Sequence, residues 1–412
     1  MSGILECPID FATSVYRNGC TVVICNLKDR PDYLLCRVVN ESSGLTSDAD
    51  HVTYVARNLN NLSQYSNGKL EQNLLHVYHV VLAAYAPCGK QCSAELPNQY
   101  SLPESQLVTP PVNSFWSTHF LTSANSTEYV LLSHAFVLPS GTVTVRTSLL
   151  DASNPENYWQ STKNLPLQNN STTKNGKLRI EAPGFEFSSN SNDSISTMVW
   201  SGSTDHYEYN LTVKATSRVL LNAGTGYFSW GNGNTSQWSL PSCQTSGMLT
   251  LDDQILQVDE ERSMTWYDRQ FGFGGVDSEF TWFGVHFPGS EVKASIWLSD
   301  NKDPAQHLRF ATVRTDYGLE IVRFNVTIEP ENAWTSPNSN YTYQTRWFLD
   351  FDNGDFLDIK SVRNDQEIYA KNSIFSSSPF TTVKGRFFGQ KTGFALVDIS
   401  PPTSLQGGNA VF

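Results

Sequence analysis

The alternation of hydrophobic and polar positions predicts strands over most of the chain after residue 112. Alternating or β-branched runs begin at 116–121 and continue to 382–398, and clusters of Asn, Ser and Gly separate them. A period of two is typical of strands that bury one face, whereas sustained helical periodicity is scarce. The sequence therefore predicts an all-β protein with long turns.

The predicted strands form two groups, which indicates two β domains. The first group lies within residues 106–245 and predicts a β-sandwich, and the second lies within 246–412. About eight or nine antiparallel strands in the second group would suit a closed barrel with a pocket inside. A glycine-dense segment at 223–254 predicts a tight crossing between the domains. Residues 1–105 form an N-terminal extension to which the pattern assigns no role.

Aromatic and ionisable residues are concentrated in residues 261–300, which the pattern predicts to be three consecutive strands. In the first strand, alternation places Trp266, Asp268 and Gln270 on one face and Tyr267 and Arg269 on the other. Each face therefore combines aromatic with polar or charged side chains. In the second strand, Trp282, Gly284 and His286 share a face that could line a cavity. Phe283, Val285 and Phe287 share the opposite face, which we expect to lie in the core of the sheet. This stretch is therefore the first candidate for a functional site.

Composition narrows the classes of partner. Hydrophobic residues make up 39% of the chain, aromatic residues 12% and charged residues 17%, with a formal net charge of -12. This content is ample for packed cores, and the acidic balance disfavours nucleic acid and anionic membranes as partners. No apolar run is long enough for a transmembrane segment. We expect a small hydrophobic substrate as the partner, and the sequence does not indicate an oligomeric state.

Ten Asn-x-Ser/Thr sequons, few lysines and seven cysteines favour a secreted glycoprotein. The odd number of cysteines leaves at least one free or paired between chains. The first residues do not resemble a signal peptide, but 73–86 is a short apolar run that ends in Ala-Tyr-Ala. Two interpretations stay open for this run: a buried helix, or a secretory segment cleaved after Ala86, with the functional protein starting near Lys69.

Several motifs in order resemble one known family. They are the segment 115–137, the GTGYFSWGN motif with the WSLP and SGMLTLD that follow it, WYDRQFG at 266–272, and the segments 331–351 and 383–399. This succession resembles the two-domain lipocalin-like superfamily of bacterial carotenoid hydratases, fungal kievitone hydratase and fungal Diels-Alderases. The resemblance covers about residues 113–400, and Phe271 stands where the family more often has Trp.

The resemblance implies two lipocalin-like β domains packed side by side, a hydrophobic cleft near their interface, and no metal or organic cofactor. It implies a pericyclase of fungal specialised metabolism as the first hypothesis, which would catalyse a Diels-Alder or hetero-Diels-Alder cycloaddition on a polyketide or terpenoid. The second is a hydratase of a prenyl or isoprenoid alkene. A lipocalin-type carrier without catalysis is the third, since a pocket alone does not imply turnover.

The two reactions place different demands on the candidate residues. Hydration needs an acid that protonates the alkene and a group that positions water, and Asp268 with His286 would supply both if burial raises the pKa of the carboxyl. Cycloaddition needs the addends held together and a donor to a developing oxyanion. The candidate catalytic residues are Tyr267, Asp268, Arg269 and His286. The candidate substrate-binding residues are Trp266, Gln270, Trp282, His119 and Trp230, and no metal ligand is predicted.

Several of these residues also have a structural interpretation. Asp268 and Arg269 would each form a buried ion pair with a partner of its own and brace the domain seam, and Trp266 and Trp282 would be core packing. His119 and His134 could face the cleft, but the favoured interpretation is a hydrogen-bonded histidine of a sheet. A Ser-His-Asp hydrolase is disfavoured, because the chain lacks a strand-turn-helix elbow of the G-x-S-x-G type.

Overall fold

The computed structural model describes three short strands before residue 41, and then residues 101–405 except 169–175, 276, 303–304 and 372. The chain divides into two compact units, Met1–Val81 and Leu82–Phe412. The described part of the first unit is an antiparallel sheet of β1 (Val15–Arg17), β2 (Cys20–Asn26) and β3 (Leu34–Asn40). The run at 73–86 lies outside the described residues, so its two interpretations stay open.

The second unit is almost entirely β, as the sequence predicts, and its first large sheet contains thirteen strands. Along the sheet the order is β7-β6-β5-β4-β16-β14-β11-β10-β9-β8, and three short strands pair with β14 besides. The strands are β4 (Val112–Thr122), β5 (Glu128–Val137), β6 (Thr142–Asp151), β7 (Tyr158–Pro166), β8 (Arg179–Ala182), β9 (Phe185–Ser189), β10 (Thr197–Ser203), β11 (Tyr207–Lys214), β12 (Leu220–Leu221), β13 (Tyr227–Trp230), β14 (Gly233–Leu251), β15 (Gln254–Val258) and β16 (Met264–Gly272).

The second large sheet is a closed antiparallel barrel. Its order is β17-β18-β19-β20-β23-β24-β27-β28, and β28 pairs back with β17. Two short strands, β25 and β26, extend it from β28, and β21 and β22 form a separate hairpin. The strands are β17 (Phe280–His286), β18 (Lys293–Lys302), β19 (Ala305–Thr315), β20 (Gly318–Thr327), β21 (Ala333–Thr335), β22 (Thr342–Gln344), β23 (Arg346–Phe351), β24 (Phe356–Ser361), β25 (Glu367–Ile368), β26 (Ser376–Ser377), β27 (Phe380–Phe387) and β28 (Gln390–Ser400).

Helix is confined to short pieces in the described residues. The α-helix α1 (Leu102–Ser105) begins after Ser101, whose side chain accepts from the Glu104 amide, and Pro103 fits its first turn. Two 3-10 turns lie at Asn222–Gly224 and Thr403–Leu405. No described helix has the length and apolar character needed to cross a membrane.

Alternation along β17 separates two cores, as the sequence predicts. Phe283, Val285 and Phe287 point into the barrel and pack in its core. Trp282, on the opposite face, packs instead with the core of the first sheet. The outer face of β17 therefore adjoins the first sheet, and the space between the two sheets becomes the place to look for a site.

The densest aromatic stretch, 261–300, does form three strands, but they do not form one sheet. β16 is in the first sheet, where it pairs with β4 and β14, whereas β17 and β18 are in the barrel. The chain changes sheets between Gly272 and Phe280. One continuous piece of sequence thus supplies a wall to each side of the space between the sheets.

Candidate active site

The floor of the candidate site is one face of the first sheet, on which neighbouring strands place their side chains in a row. Asp268 of β16 is opposite Ser239 of β14 on one side and Trp116 of β4 on the other. Trp116 is in turn opposite His134 of β5, which is opposite Arg146 of β6. Because neighbouring strands lie about 4.8 Å apart, Asp268 and Arg146 stand roughly 14 Å apart along the row.

The opposite wall is the outer face of the barrel. Trp282 of β17 lies between Trp297 of β18 and Asp398 of β28. The edge of the Trp116 ring meets the Trp282 ring across the gap, with ring centroids 4.9 Å apart. With Trp230 at one side, these walls line a pocket that opens to solvent, with about 740 Å³ of empty space when the open solvent at its mouth is included. The pocket therefore lies between the two sheets and has an aromatic lining.

Asp268 is the buried acid of this pocket, with 4% of its surface exposed. Its Oδ1 accepts from Trp266 Nε1 at 3.1 Å, its Oδ2 accepts from Gln237 Nε2 at 3.1 Å, and the Ser239 hydroxyl also bonds to the carboxyl. Burial raises the pKa of the Asp268 carboxyl to about 7, although the three donors lower it, and the Asp398 charge adds to the rise. Near neutral pH this carboxyl is therefore present in both protonation states.

The amide of Gln237 is oriented by a second tryptophan. Trp297 Nε1 donates to Gln237 Oε1 at 2.8 Å, which turns the amide nitrogen toward Asp268. A chain of neutral hydrogen bonds thus runs from the barrel wall through Gln237 to the acid on the floor.

A second polar cluster occupies the other end of the row. Arg146 Nη2 lies 3.5 Å from Asp398 Oδ2, and Nη1 of the same guanidinium donates to Ser376. Arg146 Nε donates to His134 Nδ1 at 2.9 Å. Because Nδ1 accepts, the proton of the neutral ring is on Nε2, which donates to Ser114 Oγ at 2.9 Å. Burial, and then the charge of Arg146, hold the pKa of His134 well below its ordinary value.

Tyr267 and Arg269 lie on the face of β16 that points away from the pocket. The Tyr267 hydroxyl donates to Gln106 Oε1 at 2.7 Å. The Arg269 guanidinium, fully buried, donates to four main-chain carbonyls, those of Ser105, Val108, Ser114 and Gln270. These contacts brace the segment around α1 against the first sheet, and the catalytic roles of both residues stay predictions.

His286 is buried next to the pocket but does not line it. Its ring stacks on Phe394 with centroids 5.2 Å apart and meets the edge of the Trp266 ring. Neither ring nitrogen has a hydrogen-bond partner among the described residues. Burial, with the nearby charges of Lys293 and Arg314, lowers the pKa of His286 well below its ordinary value. Trp266 contacts both His286 and Asp268, so its indole lies between the two expected partners.

The expected substrate-binding residues divide between the pocket and the interior of the first sheet. Gln270, Trp282 and Trp230 line the pocket. His119 is buried on the other side of the sheet, where Nδ1 is 2.7 Å from Thr265 Oγ1 and the ring meets Trp200. This placement matches the structural interpretation of His119 as a hydrogen-bonded histidine of the sheet.

Sequence reasoning did not select Gln237, Arg146 or Asp398, and it placed His134 on the structural side. The sequence contained one signal for His134 and Arg146. Each is a titratable residue among mostly apolar or small neighbours in its strand, and alternation places each side chain on one defined face of that strand. Arg146 contacts Asp398 only because the two sheets pack against each other, and the two residues are about 250 positions apart in the sequence. No local pattern encodes that contact.

The model of the AttH-like family matches residues 137–397. The chain belongs to the AttH-like family. This finding confirms the resemblance on which the expected fold was based, and the matched range includes most of both sheets.

Two relatives carry named activities. The chain is 33% identical over 320 residues to the dehydratase asqC of Emericella nidulans, a match that covers 74% of this chain and 89% of the relative. It is 30% identical over 312 residues to the kievitone hydratase of Fusarium solani subsp. phaseoli, covering 74% of this chain and 87% of the relative. Both names describe the removal or addition of water, which supports an enzyme of this family.

Solved structures agree on the fold. The crystal structure of kievitone hydratase from Nectria haematococca is 28% identical, with a TM-score of 0.68 over 74% of this chain and 93% of that chain. A putative AttH from Nitrosomonas europaea is 12% identical, with a TM-score of 0.60 over 77% of this chain and 99% of that chain. The second likeness concerns the fold alone.

Proposed function

We propose that this chain is a hydro-lyase that adds water to an alkene of a hydrophobic substrate, or removes water in the reverse direction. The observation that carries the proposal is the buried Asp268 carboxyl in the pocket, with its pKa raised to about 7. A carboxyl that is partly protonated at neutral pH can give a proton to carbon and take it back. The activities named for the two relatives belong to the same reaction class and support it.

The hydrogen bonds around Asp268 leave one lone-pair site of the carboxyl for its proton. An ionised carboxylate offers about four lone-pair sites. Three of them are taken by the donors Trp266, Gln237 and Ser239. The remaining site is the one available for the acidic proton, and Asp268 lies in the pocket wall. The protonated acid would therefore donate toward the substrate.

The aromatic lining suits the intermediate of such a reaction. Protonation of an alkene leaves a positive charge on the more substituted carbon. The faces of tryptophan rings attract cations, by roughly 0.5 to 2 kcal/mol for each contact. The pocket supplies four indoles, those of Trp116, Trp230, Trp282 and Trp297.

The attacking water must lose a proton, and we assign its acceptance to Asp398. This carboxylate lies in the opposite wall, beside Trp282, where it is paired with Arg146 and accepts from Ser378 Oγ at 3.1 Å. In hydration, Asp268 protonates the alkene, water bonds to the cationic carbon, and Asp398 takes the proton released by that water. Dehydration runs through the same steps in reverse.

Cycloaddition, the first hypothesis from the sequence, stays a prediction and becomes the second candidate. The aromatic walls suit it, because they would hold two addends in contact. A cycloaddition needs no proton transfer, however, so it gives no reason for a buried carboxyl with a pKa near 7. A carrier would bind the ligand and release it unchanged.

Turnover in water labelled with oxygen-18 tests the proposal, with kievitone and a panel of prenylated phenols as probes. We expect one labelled oxygen in the product. We also expect Asp268→Asn to lower the turnover number roughly 100-fold or more, since the proton donor is lost. The control is Asp358→Asn, which changes a half-exposed carboxylate paired with Arg346 on the barrel surface. An unlabelled product that has not lost water, or full turnover in Asp268→Asn, would contradict the proposal.

A further inference from the structure

We propose that Asn222 and Ser295 are positioning residues, which hold the Ser239 hydroxyl as a donor to the acid of the pocket. They do so through a hydrogen-bond series that begins at an indole of the barrel wall. The members of this series, in the order of donation, are Trp282, Ser295, Asn222, Ser239 and Asp268. The inference rests on the proposed function, because it concerns the acid of the same site. It adds two residues that lie outside the pocket lining.

The direction of the hydrogen-bond series is set at its barrel end, where an indole can only donate. Trp282 Nε1 donates to Ser295 Oγ at 2.8 Å. The Ser295 hydroxyl accepts this bond and donates its own proton to Asn222 Oδ1. Both Ser295 and Asn222 are fully buried. The amide oxygen of Asn222 therefore faces the barrel, and its amide nitrogen is left to donate toward the first sheet.

At the other end of the series, the Asn222 amide determines the role of Ser239. Asn222 Nδ2 donates to Ser239 Oγ at 3.4 Å. Because the hydroxyl accepts from the amide, its own proton is available for a neighbouring acceptor. That acceptor is the carboxyl of Asp268, directly opposite on β16. Ser239 is thereby held as a donor to the acid, as Trp266 and Gln237 are.

The position of the Asn222 side chain is fixed by the turn that carries it. Asn222 begins the 3-10 turn Asn222–Gly224, between β12 and β13. Its carbonyl accepts from the Gly226 amide at 2.8 Å. The Ala223 amide donates to Thr312 Oγ1, on strand β19 of the barrel, at 2.9 Å. The turn therefore contacts both sheets and places its first side chain between the barrel wall and the row that contains Asp268.

The series acts on Asp268 through neutral groups. Burial raises the pKa of Asp268, and among the hydrogen bonds that lower it the bond from Ser239 has the largest effect. Loss of the orientation of Ser239 should therefore raise the pKa further. The titratable groups on the elements around Asp268 are unchanged in every variant below, namely Asp398, His134, Arg146 and His286 toward the pocket and the barrel, and Tyr267 and Arg269 on the other face of β16.

Infrared difference spectroscopy of the ligand-free protein tests the series, because the midpoint of the Asp268 carboxyl band against pH gives its pKa. Each variant is measured against the same variant carrying Asp268→Asn. We expect Ser295→Ala to raise the midpoint by roughly half to one pH unit, since a hydrogen bond to a charged group is weakened and not removed. Asn222→Ala breaks the series one link later and should raise the midpoint in the same way.

Ser299→Ala is the matched control. Ser299 is on the same strand and the same face as Ser295, and it is also buried. Its hydroxyl has no hydrogen-bond partner among the described residues. The same substitution at this position should leave the midpoint of the Asp268 band unchanged.

A second background shows whether Ser295 acts through Ser239. Ser239→Ala removes the last donor of the series and should raise the midpoint by more than Ser295→Ala does. In that background, Ser295→Ala should cause no further rise, because its effect has no path to the acid.

The proposal is overturned if Ser295→Ala and Asn222→Ala leave the midpoint unchanged, if Ser299→Ala raises it equally, or if Ser295→Ala has its full effect in the Ser239→Ala background. A wild-type midpoint close to that of an ordinary aspartic acid would instead count against the proposed function. The differences among the variants would still decide whether the series acts on Asp268.

Discussion

At the scale of the residue, the central feature is a carboxylic acid whose environment favours its neutral form. Asp268 accepts hydrogen bonds from an indole, an amide and a hydroxyl, and none of these groups carries a charge. Desolvation disfavours the carboxylate, and the three hydrogen bonds only partly compensate. The sequence analysis named a raised pKa of Asp268 as the condition for hydration. It could not predict which side chains surround the carboxyl, because Gln237 and Ser239 belong to a different strand.

The raised pKa makes a prediction for stability. The pKa of Asp268 is raised from an ordinary value of 3.8 to about 7 in the folded chain. The folded state therefore holds its proton more tightly than the unfolded state. Protonation of Asp268 therefore stabilises the folded state fully below about pH 4, and this stabilisation is lost as the pH rises through about 7. The free energy of unfolding changes by an amount on the order of 4 kcal/mol.

Asp268→Asn removes this dependence, because the amide does not titrate. We expect the variant to gain stability over the wild-type chain as the pH rises from 4 to 8, measured by denaturant unfolding at each pH. Asp358→Asn should show no such gain, because Asp358 lies at the surface and its pKa is lowered, chiefly by a hydrogen bond from Arg346. A difference between Asp268→Asn and wild type that does not change with pH would argue against a neutral Asp268.

For single strands, alternation correctly predicted which side chains share a face, but the sequence did not predict which strands pair with each other. The period of two correctly separated Tyr267 and Arg269 from Asp268, and Phe283 from Trp282, because successive side chains of a strand must point to opposite faces. It gave no indication that β16 pairs with β4, about 150 residues earlier. Pairing depends on long-range contacts that no local pattern records.

The contact between β6 and β28 is the clearest case of an interaction visible only in the fold. Arg146 and Asp398 belong to different sheets, and their side chains are 6% and 12% exposed. Breaking a buried pair leaves an uncompensated charge, which typically costs about 3 to 5 kcal/mol. Replacing both members by apolar residues avoids that cost.

A double-mutant cycle measures this contact. We expect Arg146→Met and Asp398→Leu each to lower the free energy of unfolding by several kcal/mol, in the range of about 3 to 5. The double variant should lose clearly less than the sum of the two single losses, because neither charge is then left alone. Additive losses in urea unfolding would mean that the two side chains do not interact.

At the scale of the whole molecule, the all-β class and the family were both predictable, the first from alternation and the second from ordered motifs such as WYDRQFG. A closed barrel in the second half was expected from the number of strands, and β28 closes it by pairing with β17. The resemblance also implied a cleft near the domain interface, but most of its lining was not predicted, because it combines β4, β5, β6, β14 and β16 of one sheet with β17, β18 and β28 of the other. Only β16, β17 and β18 lie in the stretch 261–300 that sequence density singled out.

The proposed hydration depends most on the protonation of Asp268, and infrared difference spectroscopy measures this protonation directly. The spectrum of wild type minus Asp268→Asn isolates the stretching band of the protonated carboxyl, and its intensity against pH gives the midpoint. We predict that the band persists at neutral pH and disappears with a midpoint near pH 7. A midpoint below about pH 5, close to that of an ordinary aspartic acid, would contradict the proposed role of Asp268, because its carboxyl would then be ionised at neutral pH.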